Sequence, residues 1–252
     1  MIAIPNTFAL PAHAKRLIEI ESVDHLRSLL PTLEGEPLLV VGAGSNLVFL
    51  GDWQGTVLHS AIRDITISDD GLTVAGSGVI MDDLIRQTAG HGLWGLENLS
   101  GIPGEVGASA VQNVGAYGTE AADTIVSVEA VDLTSGEIRE FSAEECRFGY
   151  RDSIFKQDPH RDRYFITLVT YQLSHDATPT LSYPALKKAF GDSTPSSPLE
   201  VREKVISIRN EKLPDPAKVP SAGSFFKNPV VDAKVFERVR SLHPDREVPH
   251  YP

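Results

Sequence analysis

The sequence predicts an α+β fold, and three observations carry the prediction. Leu38-Leu39-Val40-Val41 is a short apolar, partly β-branched run that stops at glycines, which reads as a buried strand. Strand-type segments near residues 56–77 and 125–141 are each divided by turn residues, Asp69-Asp70-Gly71 and Thr134-Ser135-Gly136. Helical periodicity is confined to separate segments at 23–30, 81–89 and 199–210.

In chain order, an opening strand is expected around Phe8-Ala9-Leu10, then an amphipathic helix over 23–30 and the strand at 38–41, making a small α+β unit. Short strands at 56–58 and 72–75 follow, and the helix at 81–89 is ended by Gly90 or Gly92. Residues 125–131 and 137–141 read as a hairpin, and 165–171 as the clearest strand. Loop chemistry at 191–198, Gly-Asp-Ser-Thr-Pro-Ser-Ser-Pro, places a unit boundary between Phe190 and Pro198. Beyond it Val201, Val205, Ile206 and Ile208 suit a helix, which Pro214 and Pro216 bring to an end. No internal repeat is visible.

Composition bounds the function. The 252 residues suffice for one large or two modest domains with real cores, and 41% hydrophobic with 23% charged residues is ordinary for an ordered globular chain. A formal charge of −11 argues against nucleic acid or an anionic membrane as partner and leaves an anionic small molecule open. Cys146 is the only cysteine, so neither an intrachain disulfide nor a cysteine-based zinc site is available, and no metal site is expected. With no charged leader ahead of an apolar core and no bilayer-length apolar run, the expectation is a cytoplasmic protein. Between Arg202 and Asn228 six basic residues stand against three acidic ones, which fits an anionic ligand or a solvated helix face.

The chain is organised around residues 100–118, which hold Gly101, Gly104, Gly107, Gly115 and Gly118 together with Pro103. Each glycine would cost about 1 kcal/mol relative to alanine inside a helix, so this stretch is not expected to be an ordinary helix. Backbone N–H groups in such a stretch can turn into one concavity and hold a pyrophosphate, with Ser109, Gln112 and Asn113 as added donors. A long surface loop with several turns is the other reading of the same residues. A second cluster, Gly42-Ala43-Gly44-Ser45-Asn46-Leu47, follows the strand at 38–41. It fails the G-x-G-x-x-G dinucleotide fingerprint, because Leu47 fills the third glycine position and residues 48–52 do not continue as a helix. What remains is a phosphate-binding turn without the helix.

These pieces resemble the flavin-dependent UDP-N-acetylenolpyruvoylglucosamine reductases of bacterial peptidoglycan synthesis. The resemblance rests on Gly-Ala-Gly-Ser-Asn at 42–46, Gly-Ile-Pro-Gly at 101–104, Gln-Asn-Val-Gly-Ala-Tyr-Gly at 112–118, Phe-Gly-Tyr-Arg-Asp-Ser at 148–153, Lys-Leu-Pro-Asp-Pro at 212–216 and Gly-Ser-Phe-Phe-Lys-Asn-Pro at 223–229, in the family's order. It implies a two-lobed FAD-binding region of the vanillyl-alcohol-oxidase type, with lobes at 1–60 and 61–198, followed by an incomplete α+β substrate-binding domain at 199–252. FAD is the implied cofactor, NADPH the hydride donor and a UDP-sugar the substrate of a monomeric enzyme. The implied FAD contacts are Gly42, Ala43, Gly44, Ser45, Asn46, Leu47, Gly101, Ile102, Pro103, Gly104, Gly107, Ser109, Gln112, Asn113, Gly115, Tyr117 and Gly118.

In the family, hydride passes from the flavin to the β-carbon of an enolpyruvyl ether and the α-carbon is then protonated. Arg151 corresponds to the arginine that stabilises the resulting enediolate-like charge, and Ser224 to the proton donor. Tyr183, Lys212 and Asn228 correspond to substrate contacts. Taken alone, Arg151 beside Asp152 reads as a surface ion pair, Ser224 as a capping or turn serine, Tyr183 as an aromatic near a proline, Lys212 as an exposed lysine and Asn228 as a turn asparagine. The family also has a catalytic glutamate near its C-terminus, and no residue up to Pro252 matches it. The resemblance therefore implies weak or absent turnover for these 252 residues, and a flavin oxidoreductase acting on another substrate and an inactive flavin-binding remnant are the alternative readings.

Overall fold

The computed structural model describes residues 1–176, 179–216, 218–224 and 226–250. Three strands, β2 (His13–Ile20), β3 (Leu38–Val40) and β4 (Trp53–Ser60), run parallel, and the short β1 (Ile2–Ala3) pairs antiparallel with β2, giving the order β1-β2-β4-β3. Central β4 is covered on both faces, so Val57 packs with Ile4, Ala14 and Val41 while Leu58 packs with Ile20, Leu26 and Leu33. Helix α1 (Val23–Leu29) starts at Ser22, whose hydroxyl accepts the His25 N–H at 3.0 Å, and it delivers Leu26 to the second of these clusters. Val131 and Phe165 of the next sheet join the same cluster, which seats the first unit on the second.

The opening strand expected at residues 8–10 is a turn instead. Ala9 has a φ of +53°, and the Asn6 side chain accepts the Leu10 N–H at 2.9 Å and donates to the Leu10 carbonyl at 3.0 Å. The strand is β2, where Lys15, Arg16 and Glu19 take the exposed positions and obscure the apolar ones.

The second sheet is antiparallel throughout, in the order β10-β9-β11-β6-β5, from β5 (Ile65–Ile67), β6 (Leu72–Gly76), β9 (Ile125–Asp132), β10 (Ile138–Ser142) and β11 (Tyr164–Gln172). The expected hairpin is β9–β10 and the clearest strand is β11. Helix α2 (Met81–Gly90) lays Met81, Leu84 and Ile85 on the core that this sheet forms with Val128, Ala130, Val169 and Tyr171.

Part of the glycine-rich stretch is helical after all: α3 (Val106–Gln112) packs Val106 and Ala110 into the same core. Gly107 is tolerated there because contact demands it. A Cβ at this position would stand 2.7 Å from the Ser77 Cβ, so the glycine lets α3 approach the chain leaving β6. A small hairpin, β7 (Gly115–Ala116) and β8 (Thr119–Glu120), follows. Helices α4 (Pro184–Phe190) and α5 (Pro198–Lys212) enclose a cluster of Trp94, Leu186, Phe190, Val201, Val205 and Ile208. Helix α6 (Ala233–Leu242), capped by Asp232, buries no residue.

Candidate active site

The two glycine clusters, far apart in sequence, meet. Ser45 Oγ donates to the Pro103 carbonyl at 3.2 Å, opposite Gly104. Gly44 holds a φ of +64° and a Cβ there would strike the Pro5 carbonyl, so this turn admits glycine alone. Among the described residues no acceptor meets the N–H groups of Ala43, Gly44, Ser45, Asn46 or Leu47. Successive unspent amides in a glycine turn are the donor set a diphosphate needs, and on this observation the residues fit FAD.

The facing loop is held from two helices. Asp82 on α2 accepts the Gly101 N–H at 2.6 Å, Arg202 on α5 grips the same carboxylate, and Arg209 Nε donates to the Gly101 carbonyl at 3.1 Å. Beneath the 42–47 turn the Glu105 carboxylate is buried, with Oε2 3.0 Å from where a Gly42 Cβ would stand and Oε1 2.8 Å from His59 Nε2. Glu19 lies 3.7 Å from the other ring nitrogen. The Glu105 hydrogen bond raises the His59 pKa above its ordinary value, outweighing the burial that works against it.

Several predicted cofactor residues have their side chains occupied within the protein. Ser109 Oγ donates to the Val106 carbonyl, Gln112 accepts from Lys156 Nζ at 2.8 Å, and Asn113 bonds Glu120, the Gly149 carbonyl and the Ala122 N–H. Asn113 also takes the left-handed position that ends α3. These three shape the loop from inside. Burial lowers the Lys156 pKa, with Lys227 and Arg151 nearby adding to the effect against the attraction of Asp152.

Arg151 is drawn to the glycine stretch by backbone rather than by Asp152. Its guanidinium donates to the carbonyls of Asn113, at 3.2 Å, and Gly115, with Glu120 at 3.6 Å. Gly115 leaves the space it occupies: a Cβ there would lie 2.6 Å from Arg151 Nη1. Tyr150 then connects Arg151 with the chain beyond α5, since the Arg151 and Lys227 cations stand 5.1 and 5.3 Å from its ring.

Tyr117 and Tyr183 meet edge to face with centroids 5.2 Å apart, and Gly118 faces Thr180, Ser182 and Tyr183. One predicted substrate residue thus touches one predicted cofactor residue. Ser224, Lys212 and Asn228 are exposed, and their side chains have no hydrogen-bond partner among the described residues. Phe225, beside Ser224 in the motif, lies outside the described residues. Asp82, Arg202, Arg209, His59, Glu105 and Glu120 were missed by sequence reasoning. Each pairs with a residue remote in sequence or meets a backbone group, which no spacing rule reports.

Residues 14–142 match the FAD binding domain family. The UDP-N-acetylenolpyruvoylglucosamine reductase of Azoarcus sp. (strain BH72) is 45% identical over 98% of this chain and 74% of its own length. The chain belongs to the UDP-N-acetylenolpyruvoylglucosamine reductase family. The reductase of Bacteroides fragilis (strain YCH46) is 42% identical with the same coverage. The crystal structure of the family's reductase (MurB) from Thermus caldophilus superimposes with a TM-score of 0.61 at 27% identity, over 90% of this chain and 73% of that one. The two-lobed FAD-binding architecture implied by the sequence resemblance is thereby met, within a mixed α+β fold.

Proposed function

We propose that this protein reduces UDP-N-acetylglucosamine enolpyruvate to UDP-N-acetylmuramate with NADPH and FAD, in the synthesis of peptidoglycan precursors. The observation that carries the reading is the meeting of the 42–47 turn with the 101–104 loop, an unspent amide run on one side and Arg151 and Tyr183 reached through residues 113–118 on the other. FAD, when bound, supplies the hydride chemistry between NADPH and the enolpyruvyl β-carbon.

The chain's own residues do the rest. The amides of 43–47 hold the cofactor diphosphate, and the loop at 101–104 closes over it. Arg151, fixed by two backbone carbonyls, keeps donors over for the substrate carboxylate and stabilises the charge that hydride addition pushes into it. Ser224 gives the proton to the α-carbon. A serine hydroxyl is a weak acid, so its conjugate base needs positive charge close by, and Lys227 three residues on is the cation in that segment. Tyr183 closes on the nucleotide from its contact with Tyr117, while Lys212 takes the substrate diphosphate and Asn228 its head group. Residues 1–60 and 61–198 serve as the FAD lobes and 199–252 as the substrate side of a monomer in the cytoplasm. No helix among the described residues is long and apolar enough to cross a membrane.

An anaerobic titration tests the proposal. The FAD-loaded protein is bleached with NADPH and then given UDP-N-acetylglucosamine enolpyruvate. Recovery of the flavin band with this compound, and not with enolpyruvyl phosphate, is the expected result. Failure to bind FAD, or recovery with either compound alike, overturns it.

A further inference from the structure

Thr7 and Ser221 are separated by 214 positions in sequence and exchange two hydrogen bonds. Thr7 Oγ1 donates to the Ser221 carbonyl at 2.6 Å, and the Ser221 N–H donates to the Thr7 carbonyl at 2.9 Å. The same threonine stands over the cofactor turn, its own N–H reaching the Gly44 carbonyl at 3.4 Å. Gly44 accommodates this approach because it has no Cβ to strike Pro5 and Asn6.

The loop that carries Thr7 is rigid for local reasons. Asn6 donates to the carbonyls of Ile4 and Leu10 and accepts the Leu10 N–H, which closes residues 4–10 into one hydrogen-bonded turn. On the other side of the contact, Ser221 Oγ accepts the Gly223 N–H at 3.1 Å and Gly223 takes a φ of +77°, so the direction of the next residue is set. That next residue is Ser224, on a stretch otherwise largely exposed to solvent.

We propose that Thr7 is a positioning residue for Ser224: its paired hydrogen bonds to Ser221 fix the proton-donor segment against the Gly44 turn, so that the hydroxyl is aligned with the cofactor site. The inference rests on the reading of Ser224 as proton donor. The Thr7 carbonyl belongs to the backbone, whereas Oγ1 belongs to the side chain, so Thr7→Val removes one of the two bonds at nearly constant volume and Thr7→Ser keeps both.

The test compares the full chain with Thr7→Val, Thr7→Ser and Ser224→Ala. In the cofactor-free protein, amide hydrogen exchange at Ser221 and Gly223 is expected to speed up about threefold to tenfold in Thr7→Val, the worth of one hydrogen bond, and to return in Thr7→Ser. In the FAD-loaded protein, Thr7→Val should slow recovery of the flavin band on substrate addition by a similar factor, with bleaching by NADPH and FAD affinity unchanged. Unchanged exchange in Thr7→Val overturns the clasp. Equal loss of FAD affinity, bleaching and recovery also overturns it, since that is the signature of a loop threonine that only supports the fold. Normal recovery in Ser224→Ala overturns the proton-donor reading instead, and the exchange measurement keeps the two failures apart.

Discussion

Arg202 on α5 and Asp82 on α2 share two hydrogen bonds, Nη1 to Oδ1 at 2.5 Å and Nη2 to Oδ2 at 2.8 Å, and Oδ1 also accepts the Gly101 N–H at 2.6 Å. One carboxylate therefore joins α5 to the loop at 101–104. The Arg202 side chain is 10% exposed and that of Asp82 31%, so removing one partner strands the other with little water to replace it. Breaking a fully buried pair costs about 3–5 kcal/mol; Asp82→Ala or Arg202→Met should each cost about 2–3 kcal/mol here, because Asp82 is partly hydrated. Urea unfolding measures this, and the double variant should lose clearly less than the sum of the two.

The same pair has an acid limb. Burial alone would raise the Asp82 pKa, but the hydrogen bonds from Arg202 and Gly101 outweigh it and hold the carboxyl below its ordinary 3.8. Its contribution is fully present above pH 3.8 and is lost as the pH falls through the lowered native value. Arg202→Met should flatten that part of the stability profile.

The His59–Glu105 pair behaves with the opposite sign. Because the native His59 pKa is raised, its contribution is fully present below 6.5 and fades as the pH rises through the native value. Unfolding midpoints measured at about pH 6 and about pH 9 should differ less in His59→Gln than in the parent. An unchanged difference would mean that the imidazole stays neutral against Glu105.

Gly115→Ala tests how Arg151 is placed. The added methyl would stand 2.6 Å from Nη1 and 3.1 Å from the Thr119 carbonyl, so the guanidinium must move. Overpacking of this kind costs about 1–3 kcal/mol. Recovery of the flavin band by substrate should fall at least about tenfold, since charge stabilisation is geometric, while bleaching by NADPH is largely kept.

Ser224→Ala should leave flavin bleaching nearly intact and slow recovery alone, about a hundredfold for loss of a positioned proton donor. The proton is needed only after hydride has left the flavin. Equal slowing of both phases, read by stopped-flow absorbance, would remove Ser224 from the acid role.

Locally encoded elements were legible. The helix expected at 81–89 is α2, and the hairpin at 125–141 is β9–β10, because apolar periodicity and turn residues act over a few positions. Strand β2 was missed because its exposed face carries Lys15, Arg16 and Glu19, and α3 because the propensity penalty of Gly107 is small beside the packing of Val106 and Ala110. In the site, both glycine clusters were visible from composition alone. Their mutual contact through Ser45 and Pro103 was not, nor was the internal use of Asn113, since each depends on residues brought together only by the fold.

The sequence by itself determined the family, the strands and helices with clear periodicity, and the residue types on which the proposed function draws: two glycine clusters, an arginine and a serine. Tertiary structure alone decided which groups face each other. Arg202 with Asp82, His59 with Glu105 and Thr7 with Ser221 come from segments 120, 46 and 214 positions apart. Contacts at such separation form only after the chain between them has been folded and its entropy spent, so no local pattern encodes them.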